Sequence, residues 1–257
     1  MPASGLRKTR VYAVANQKGG VGKTTTAVNV GACLAEAGER VLLIDLDPQA
    51  NASSGLGVRP NGVSTHDLLD GIALQTVVKP TGFANLDLVA AKSDLAAAAV
   101  DLSKREGGER YLADALEHGL EPYSFVFLDC PPSFGPLTVN ALAAASRAIV
   151  PVQAEYYALE GLSQLLRTVN LVKARLNPEL EVVGILLTMA DGRTRLSADV
   201  EHELRRHFGG LVFSTTVPRS VRLAEAPSHG LPAIAYDSRS AGAQAYWKVA
   251  MELVERS

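Results

Sequence analysis

The chain has 257 residues, of which 47% are hydrophobic, and a formal net charge of −2. This length and apolar content suffice for one sizeable core, while the sequence lacks the run of about 18 apolar residues that a membrane-spanning helix needs. The small net charge argues against a uniformly basic nucleic-acid-binding module, although it leaves room for a local basic face. We expect a cytoplasmic protein with a short basic extension at residues 1–10 and a single domain over residues 11–257.

The first predicted elements are a strand and a helix joined by a glycine-rich loop. Residues 11–15 are an apolar run typical of a buried strand, and residues 26–34 favour a helix. The loop between them reads Lys18-Gly19-Gly20-Val21-Gly22-Lys23-Thr24-Thr25. Strand, glycine loop and helix are the context of a phosphate-binding loop, whose backbone N–H groups and helix N-terminus surround a polyphosphate. Lys23 is placed to contact the terminal phosphates and Thr24 to hold Mg²⁺.

A second buried strand is predicted over residues 40–45, after a helix end marked by Gly38. Two carboxylates follow at its carboxyl end, Asp45 and Asp47. Open α/β sheets bind ligands at this edge. A solvated turn capped by an aspartate explains the same two residues when they are considered alone, so their role depends on the preceding loop.

Residues 51–123 carry fewer signals. The spacing predicts a short helix from Ser64 or Thr65 to Leu69, a strand over residues 85–89 and helical segments over residues 93–118 that are interrupted at residues 106–108. No catalytic constellation is evident here. His66 and His118 have no neighbouring side chain at metal-ligand spacing, so we interpret them as solvated surface histidines.

A third apolar strand over residues 123–129 ends in a carboxylate, Asp129, and is followed by Cys130-Pro131-Pro132-Ser133. An aspartate at this position can hold Mg²⁺ through its water shell, while the prolines turn the chain sharply. The pattern is common by itself. It gains weight as the third such element in order, after the glycine loop and the Asp45–Asp47 segment.

The remainder of the chain alternates between strand and helix. The predicted segments are residues 148–153, 159–176, 182–189, 196–208 and 211–217. Alternation at this spacing implies an α/β fold with a mainly parallel, twisted sheet and helices on both faces, the architecture of a P-loop NTPase.

The glycine loop departs from the standard pattern G-x-x-x-x-G-K-[ST], because Gln17 stands where the first glycine is expected and a second lysine, Lys18, follows it. The sequence K-G-G-x-G-K-T-T resembles the deviant Walker A motif of the ParA/MinD group of P-loop ATPases. The segments at residues 45–49, 129–133, 153–161 and 217–228 also match that group, most closely the small chromosomal ParA, or Soj, proteins. The resemblance spans residues 11 to about 250.

The resemblance implies a set of site residues. Residues 18–25 bind the nucleotide phosphates, and Lys18 reaches the partner's phosphates across a nucleotide-sandwich dimer. Asp47 positions the attacking water, so the catalytic residues are Lys18, Lys23 and Asp47, while Thr24, Asp45 and Asp129 hold the metal. Met189, Pro218 and Arg219 flank the adenine, and Arg193 and Arg222 contact DNA.

The resemblance also implies an ATPase of weak intrinsic activity that uses ATP and Mg²⁺. Its ATP-dependent homodimer binds double-stranded DNA without reading sequence, associates with the nucleoid, and is released when a ParB-type partner stimulates hydrolysis. Between residues 191 and 222, six arginines stand against four acidic residues, a local balance of +2. Whether the cargo is a chromosome or a plasmid stays open.

Two alternatives are weighed against this function. A MinD-like membrane-surface ATPase anchors through a basic amphipathic C-terminal helix, but residues 245–257 carry two glutamates against one lysine and one arginine. A redox ATPase that shares an iron–sulfur cluster between subunits requires two cluster cysteines in each chain. We expect Cys33 and Cys130 to be small core residues instead.

Overall fold

The computed structural model describes residues 9–59, 62–155 and 158–256. Seven strands form one sheet in this part of the chain: β1 (Arg10–Val14), β2 (Val41–Asp45), β3 (Val78–Pro80), β4 (Leu86–Val89), β5 (Phe125–Asp129), β6 (Arg147–Gln153) and β7 (Glu181–Thr188). Their order is β3-β4-β2-β5-β1-β6-β7. All neighbouring pairs are parallel except β3 with β4. The three-residue edge strand β3 was not predicted.

The helices within the same ranges are α1 (Lys23–Glu36), α2 (Asn51–Gly55), α3 (Thr65–Leu69), α4 (Leu74–Val77), α5 (Leu95–Leu102), α6 (Tyr111–Ala115), α7 (Pro136–Ala144), α8 (Ala158–Arg175), α9 (Arg195–Phe208), α10 (Val221–Glu225), α11 (Ala233–Tyr236) and α12 (Ala241–Glu255). A 3₁₀ turn at Ala226–His229 continues α10. None of these helices combines the length and the apolar character that crossing a membrane requires. Of the predicted N-terminal extension, only residues 9 and 10 are described.

The core lies in two layers because side chains alternate between the faces of each strand. In β1, Val11 and Ala13 pack on one face with residues of α3 to α9. Tyr12 and Val14 pack on the other face with α1, α2 and α12. The prediction of a mainly parallel sheet covered by helices on both faces is therefore confirmed.

Helix α1 carries the glycine loop into the core. It ends in a left-handed glycine, Gly38 at φ 93°, whose N–H bonds the oxygen of Ala35 while the N–H of Glu39 bonds that of Leu34. This pair of bonds satisfies carbonyls that a helix end otherwise leaves exposed. The predicted helix end at Gly38 is thus confirmed.

Helix α12 packs along α1. Its buried face includes Tyr246, Val249 and Leu253, and the Tyr246 hydroxyl lies 3.1 Å from the Thr26 hydroxyl on α1. The apolar side of the C-terminal helix is therefore part of the core and is covered by α1.

The predicted strand over residues 211–217 is wrong. The segment follows β7 as an irregular edge and bonds to it through the N–H groups of Phe213 and Val217. Between these two, Thr215 is the residue whose N–H would face β7, and it donates instead to the carboxylate of Glu252 on α12 at 3.2 Å. The ladder is interrupted because a side chain from another element captures a strand donor, which local sequence cannot reveal.

The interpretation of the two histidines holds for one of them. His118 is exposed, but His66 lies between two carboxylates, with Nε2 3.4 Å from Asp70 and Nδ1 3.7 Å from Asp94. Asp94 comes from a different part of the chain, so its contact with His66 depends on the fold.

Candidate functional site

The glycine loop lies between β1 and α1 and is fastened to the neighbouring strands. The Asn16 side-chain amide donates to the backbone oxygen of Pro151 on β6 at 2.7 Å. The Thr188 hydroxyl at the end of β7 donates to the backbone oxygen of Val21 at 2.8 Å. These two bonds fix the beginning and the middle of the loop, so its shape is preorganised.

The loop forms a cradle suited to an anion. Gly20 and Gly22 have φ of 75° and 86°, in the left-handed region where a side chain is strained. Gly22 caps α1 without a side chain, so the positive end of the helix dipole is open towards the loop. Lys23 is 6% exposed, and its Nζ donates to the backbone oxygen of Lys18 at 2.9 Å. Burial lowers the pKa of Lys23, and the nearby carboxylate of Asp129 opposes that shift.

Two buried carboxylates lie beside the cradle. Asp45 on β2 and Asp129 on β5 are register partners on adjacent strands, and both are fully buried. Burial raises the pKa of Asp45 to about 6. Burial and then the charge of Asp45 raise the pKa of Asp129 well above its usual range. The charge of Asp45 therefore disfavours ionisation of Asp129, and a cation beside them would relieve that repulsion.

The hydrogen bonding of the two carboxylates differs. Asp45 accepts from the backbone N–H of Ser53 at 2.9 Å and from its hydroxyl at 2.7 Å. Neither side-chain oxygen of Asp129 has a hydrogen bond of normal geometry among the described residues, although the Thr24 hydroxyl lies close enough to lower the pKa of Asp129 through a weaker hydrogen bond. A buried, unpaired carboxylate is costly, and its presence here fits a bound cation.

The donor set suits Mg²⁺ held with a phosphate. Among the described residues, no group of three histidine, cysteine or acidic side chains has the geometry to hold a metal alone. Mg²⁺ in nucleotide sites commonly takes one or two protein oxygens and completes its shell with phosphates and water. Thr24 and Asp129, with Asp45 behind them, fit that arrangement.

Asp47 is placed at the same edge. It is 6% exposed, its N–H donates to Asp45 at 3.1 Å, and its Oδ1 accepts from the N–H of Gln49 at 2.9 Å. Its negative charge contributes to the electrostatics of both Lys23 and Asp129. The carboxylate is therefore held among the groups that surround the cradle.

The second loop lysine faces away from the cradle. The Lys18 amine forms an ion pair with Glu155, beyond the end of β6, and its side chain is 51% exposed. Lys23 and Lys18 thus occupy different environments, one inside the loop and one at the surface.

A pocket of 190 Å³ adjoins the loop. Met189, Pro218 and Arg219, which the resemblance assigns to the adenine, lie together in its wall. The other lining residues are Gly22, Thr25, Thr188, Val217, Ser220, Leu223, Ala224 and Tyr246. Met189 has φ 52°, an unfavourable conformation for its side chain that is typical of functional sites.

The two arginines assigned to DNA do not line this pocket and lie at the surface. Arg193 is 88% exposed and donates to both carboxylate oxygens of Asp191, at 2.8 and 2.7 Å. Arg222 pairs with Glu225 at 2.8 Å and lies 3.4 Å from Asp237. Both guanidinium groups are therefore already engaged with acidic neighbours.

Comparisons with known proteins find relatives that match most of this chain. A family model described as an AAA domain matches residues 9–182. The sporulation initiation inhibitor protein Soj of Bacillus subtilis is 50% identical over 247 residues, which cover 95% of this chain and 98% of that protein. The chromosome partitioning protein ParA of Caulobacter vibrioides is 49% identical, covering 96% and 94%.

The chain belongs to the ParA/Soj family of chromosome-partitioning ATPases. Its fold agrees with solved structures. A structure named cobyrinic acid a,c-diamide synthase from Mycobacterium smegmatis, with bound ADP and magnesium, has a TM-score of 0.84 and 40% identity and covers 96% of this chain and 94% of its own. The septum site-determining protein MinD of Pyrococcus horikoshii, complexed with Mg-ADP, has a TM-score of 0.75 and 26% identity, with 95% of each chain covered.

Several residues of this ParA/Soj site were missed from sequence. They are Asn16, Ser53, Glu155, Thr188 and Tyr246. Ser53 contacts Asp45 eight residues away, and the others act through contacts distant along the chain, such as that of Asn16 with Pro151, 135 residues away. Glu155 lies within the stretch at residues 153–161 that matches the ParA/MinD group, but the match alone assigns it no role. The signal that the sequence offered was its negative charge, which is opposite to the charge of Lys18 in the glycine loop.

Proposed function

We propose that this protein is a Mg²⁺-dependent partition ATPase whose ATP-bound dimer binds DNA without sequence preference. A ParB-type partner stimulates hydrolysis and releases the dimer from the nucleoid. The observation that carries the proposal is the unpaired, buried carboxylate of Asp129 beside Asp45, next to Lys23 and the glycine cradle. The names of the ParA/Soj relatives supply chromosome partition as the process.

ATP binding is assigned to the loop and the adjoining pocket. The N–H groups of residues 18–25 surround the phosphates, and Lys23 contacts the terminal ones. The base lies against Met189, Pro218 and Arg219. Thr24, Asp45 and Asp129 hold Mg²⁺, which neutralises phosphate charge when bound. Solved relatives that carry ADP, an ATP analogue and magnesium support this assignment.

Hydrolysis depends on positioning and electrostatics. Asp47 accepts a hydrogen bond from the attacking water and orients it. Lys23 contacts phosphate oxygens within the same chain. Lys18 is assigned to the partner's phosphates, because its amine lies at the surface with Glu155 while the cradle already contains Lys23. Slow intrinsic turnover is expected of a switch that waits for its partner.

DNA binding is assigned to Arg193 and Arg222. Exposed ion pairs contribute at most about 1 kcal/mol, so phosphates can replace their carboxylate partners. If each arginine of a dimer neutralises one phosphate, about four contacts give a log–log salt slope near −3.6. Phosphate contacts orient a protein without specifying bases.

The alternatives fit the site less well. A MinD-like anchor needs an available apolar helix face, but that of α12 is packed on α1. Cys33 and Cys130 are buried in the cores on opposite faces of the sheet. Burial also raises the pKa of both thiols. These cysteines therefore suit neither a shared iron–sulfur cluster nor nucleophilic chemistry.

The test is DNA binding measured by fluorescence anisotropy on two unrelated duplexes, with ATP or ADP, across a salt series. We expect ATP-dependent binding that is equal on both duplexes. Arg222→Ala should weaken it uniformly and reduce the slope by roughly two in the dimer, with dimerisation intact. Binding without ATP, or an unchanged slope in the variant, contradicts the proposed surface.

A further inference from the structure

We infer that a contact between α2 and the turn after α10 transmits the nucleotide state to the Arg222 surface. We call it the α2 seam, formed by Gly55 and Gly57 on one side and by Pro227 and Gly230 on the other. The inference rests on the proposed function, because it concerns how ATP in the cradle changes DNA binding elsewhere.

The seam is connected to the cradle through Ser53. This residue of α2 is 1% exposed and donates both its N–H and its hydroxyl to Asp45. Its hydroxyl also accepts from the N–H of Ala91 beyond β4, at 3.0 Å. A displacement of Asp45 when the γ-phosphate is gained or lost would therefore act directly on α2.

The contact itself leaves little room for a side chain. A Cβ placed on Gly230 would lie 3.2 Å from the Cα of Gly57, and one on Gly55 would lie 3.4 Å from the Cβ of Pro227. Backbones that approach this closely move together, because a shift of one side produces overlap or a gap. A 410 Å³ cavity borders the seam, so the pair has open space into which it can move.

The far side of the seam continues into the arginine surface. The 3₁₀ turn at Ala226–His229 follows α10 directly, and the Ser228 hydroxyl donates to the backbone oxygen of Glu225 at 2.6 Å. Glu225 is the partner of Arg222. A movement of the turn therefore changes the position of Arg222 and its ion pair.

A second route from nucleotide to α10 passes through the base pocket, which Leu223 and Ala224 line. ATP and ADP carry the same base, so that route cannot distinguish them. The difference between the two nucleotides lies at the γ-phosphate, next to the Lys23, Asp45 and Asp47 end of the site. The seam is a connection that begins at that end.

The experiment compares DNA affinity with ATP and with ADP in three glycine variants. Gly230→Ala places a methyl group against Gly57. Gly71→Ala is the matched control, because Gly71 has a similarly left-handed φ of 93° but no atom of the described residues lies within 4 Å of the added carbon. We expect the ATP-to-ADP affinity ratio to fall at least fivefold in Gly230→Ala, the lower end of typical couplings, and to stay unchanged in Gly71→Ala. ATP affinity should be kept in both.

Gly55→Ala separates coupling from folding. Gly55 is the last residue of α2, and an added methyl group would lie 3.4 Å from the Cβ of Pro227, so this variant should unfold close to the wild-type temperature and still show a smaller ATP-to-ADP ratio. By reciprocity, DNA should raise ATP affinity in the wild type and do so less in both seam variants. Wild-type ratios in Gly230→Ala and Gly55→Ala overturn the seam alone. A wild-type protein that binds DNA equally with ATP and ADP overturns the proposed function as well.

Discussion

The nucleotide cradle and the arginine surface are built in opposite ways. In the cradle, polar groups are buried and fixed by bonds from distant strands, and Asp129 has no hydrogen bond of normal geometry among the described residues. At the surface, Arg193 and Arg222 are exposed and paired with carboxylates a few residues away. An unsatisfied buried group indicates a ligand, because leaving it alone is costly. An exposed arginine that is already paired with a carboxylate gives no such indication, since replacing that carboxylate by a phosphate costs little.

The largest expected effect is in the cradle. Lys23→Ala should weaken ATP binding by roughly a hundredfold or more, because it removes a charge-assisted contact in a buried site. Calorimetric titration with ATP and Mg²⁺ measures this. Unchanged affinity means that another group supplies the phosphate contact.

Asp47→Ala should abolish most phosphate release while keeping nucleotide binding, because it removes the group that orients water and leaves the phosphate contacts in place. The expected product is a stable ATP-bound dimer. Asp94→Ala is the control, since Asp94 is a half-exposed carboxylate that contacts His66. Normal turnover in the Asp47 variant transfers the water-orienting role to another group, such as Asp45.

Lys18→Ala should keep ATP binding but lose the ATP-dependent dimer and hydrolysis. To shift the population from about 1% to about 99% dimer, ATP must favour that state by roughly 5.5 kcal/mol over ADP. We assign part of this to Lys18 from each chain. Multi-angle light scattering with ATP tests it, and a normal dimer in this variant would falsify the sandwich arrangement.

The same contrast explains what the sequence made predictable. The strands that carry Asp45 and Asp129 and the loop that carries Lys23 have strong local patterns, and the structure brings these residues to one edge. Ser53 and Thr188 have no such pattern, because their roles come from bonds to Asp45 and Val21 made only in the folded chain. The incorrect prediction of a strand over residues 211–217 has the same cause, since the carboxylate that accepts a backbone N–H from this segment belongs to Glu252, far along the sequence.

Asp129→Asn should stabilise the nucleotide-free protein while weakening Mg²⁺-dependent ATP binding. The free energy of unfolding should rise by about 1–3 kcal/mol at neutral pH, because an unpaired buried carboxylate is removed. Because burial raises the pKa of both aspartates, the free energy of unfolding should fall as pH rises above about 4. The fall passes through the folded pKa of about 6 for Asp45 and continues at higher pH for Asp129. The variant should show a shallower fall in denaturant titrations.

Asp87→Asn is the control for that experiment, and we expect it to change the free energy of unfolding in the opposite direction. Asp87 accepts from Arg40 at 2.7 Å and from the Tyr123 hydroxyl at 2.9 Å, so the same chemical change there should lower stability. If both variants are destabilised alike, the carboxylate of Asp129 is satisfied in solution and the cation site loses its main support.

The smallest expected effect is at the arginine surface. Asp191→Asn removes the charge that holds Arg193, so DNA affinity in the ATP state should rise about three- to tenfold at low salt, by exchange of a surface pair in each protomer. Asp199→Asn is the matched control, because Asp199 lies 4.0 Å from Arg195, which is 95% exposed. Asp199→Asn changes the net charge by the same amount but leaves the ion pair between Arg193 and Asp191 in place. An equal gain in both variants reflects net charge alone. A loss in Asp191→Asn means that the pair orients the guanidinium for phosphate, and the arginine surface is then as preorganised as the cradle.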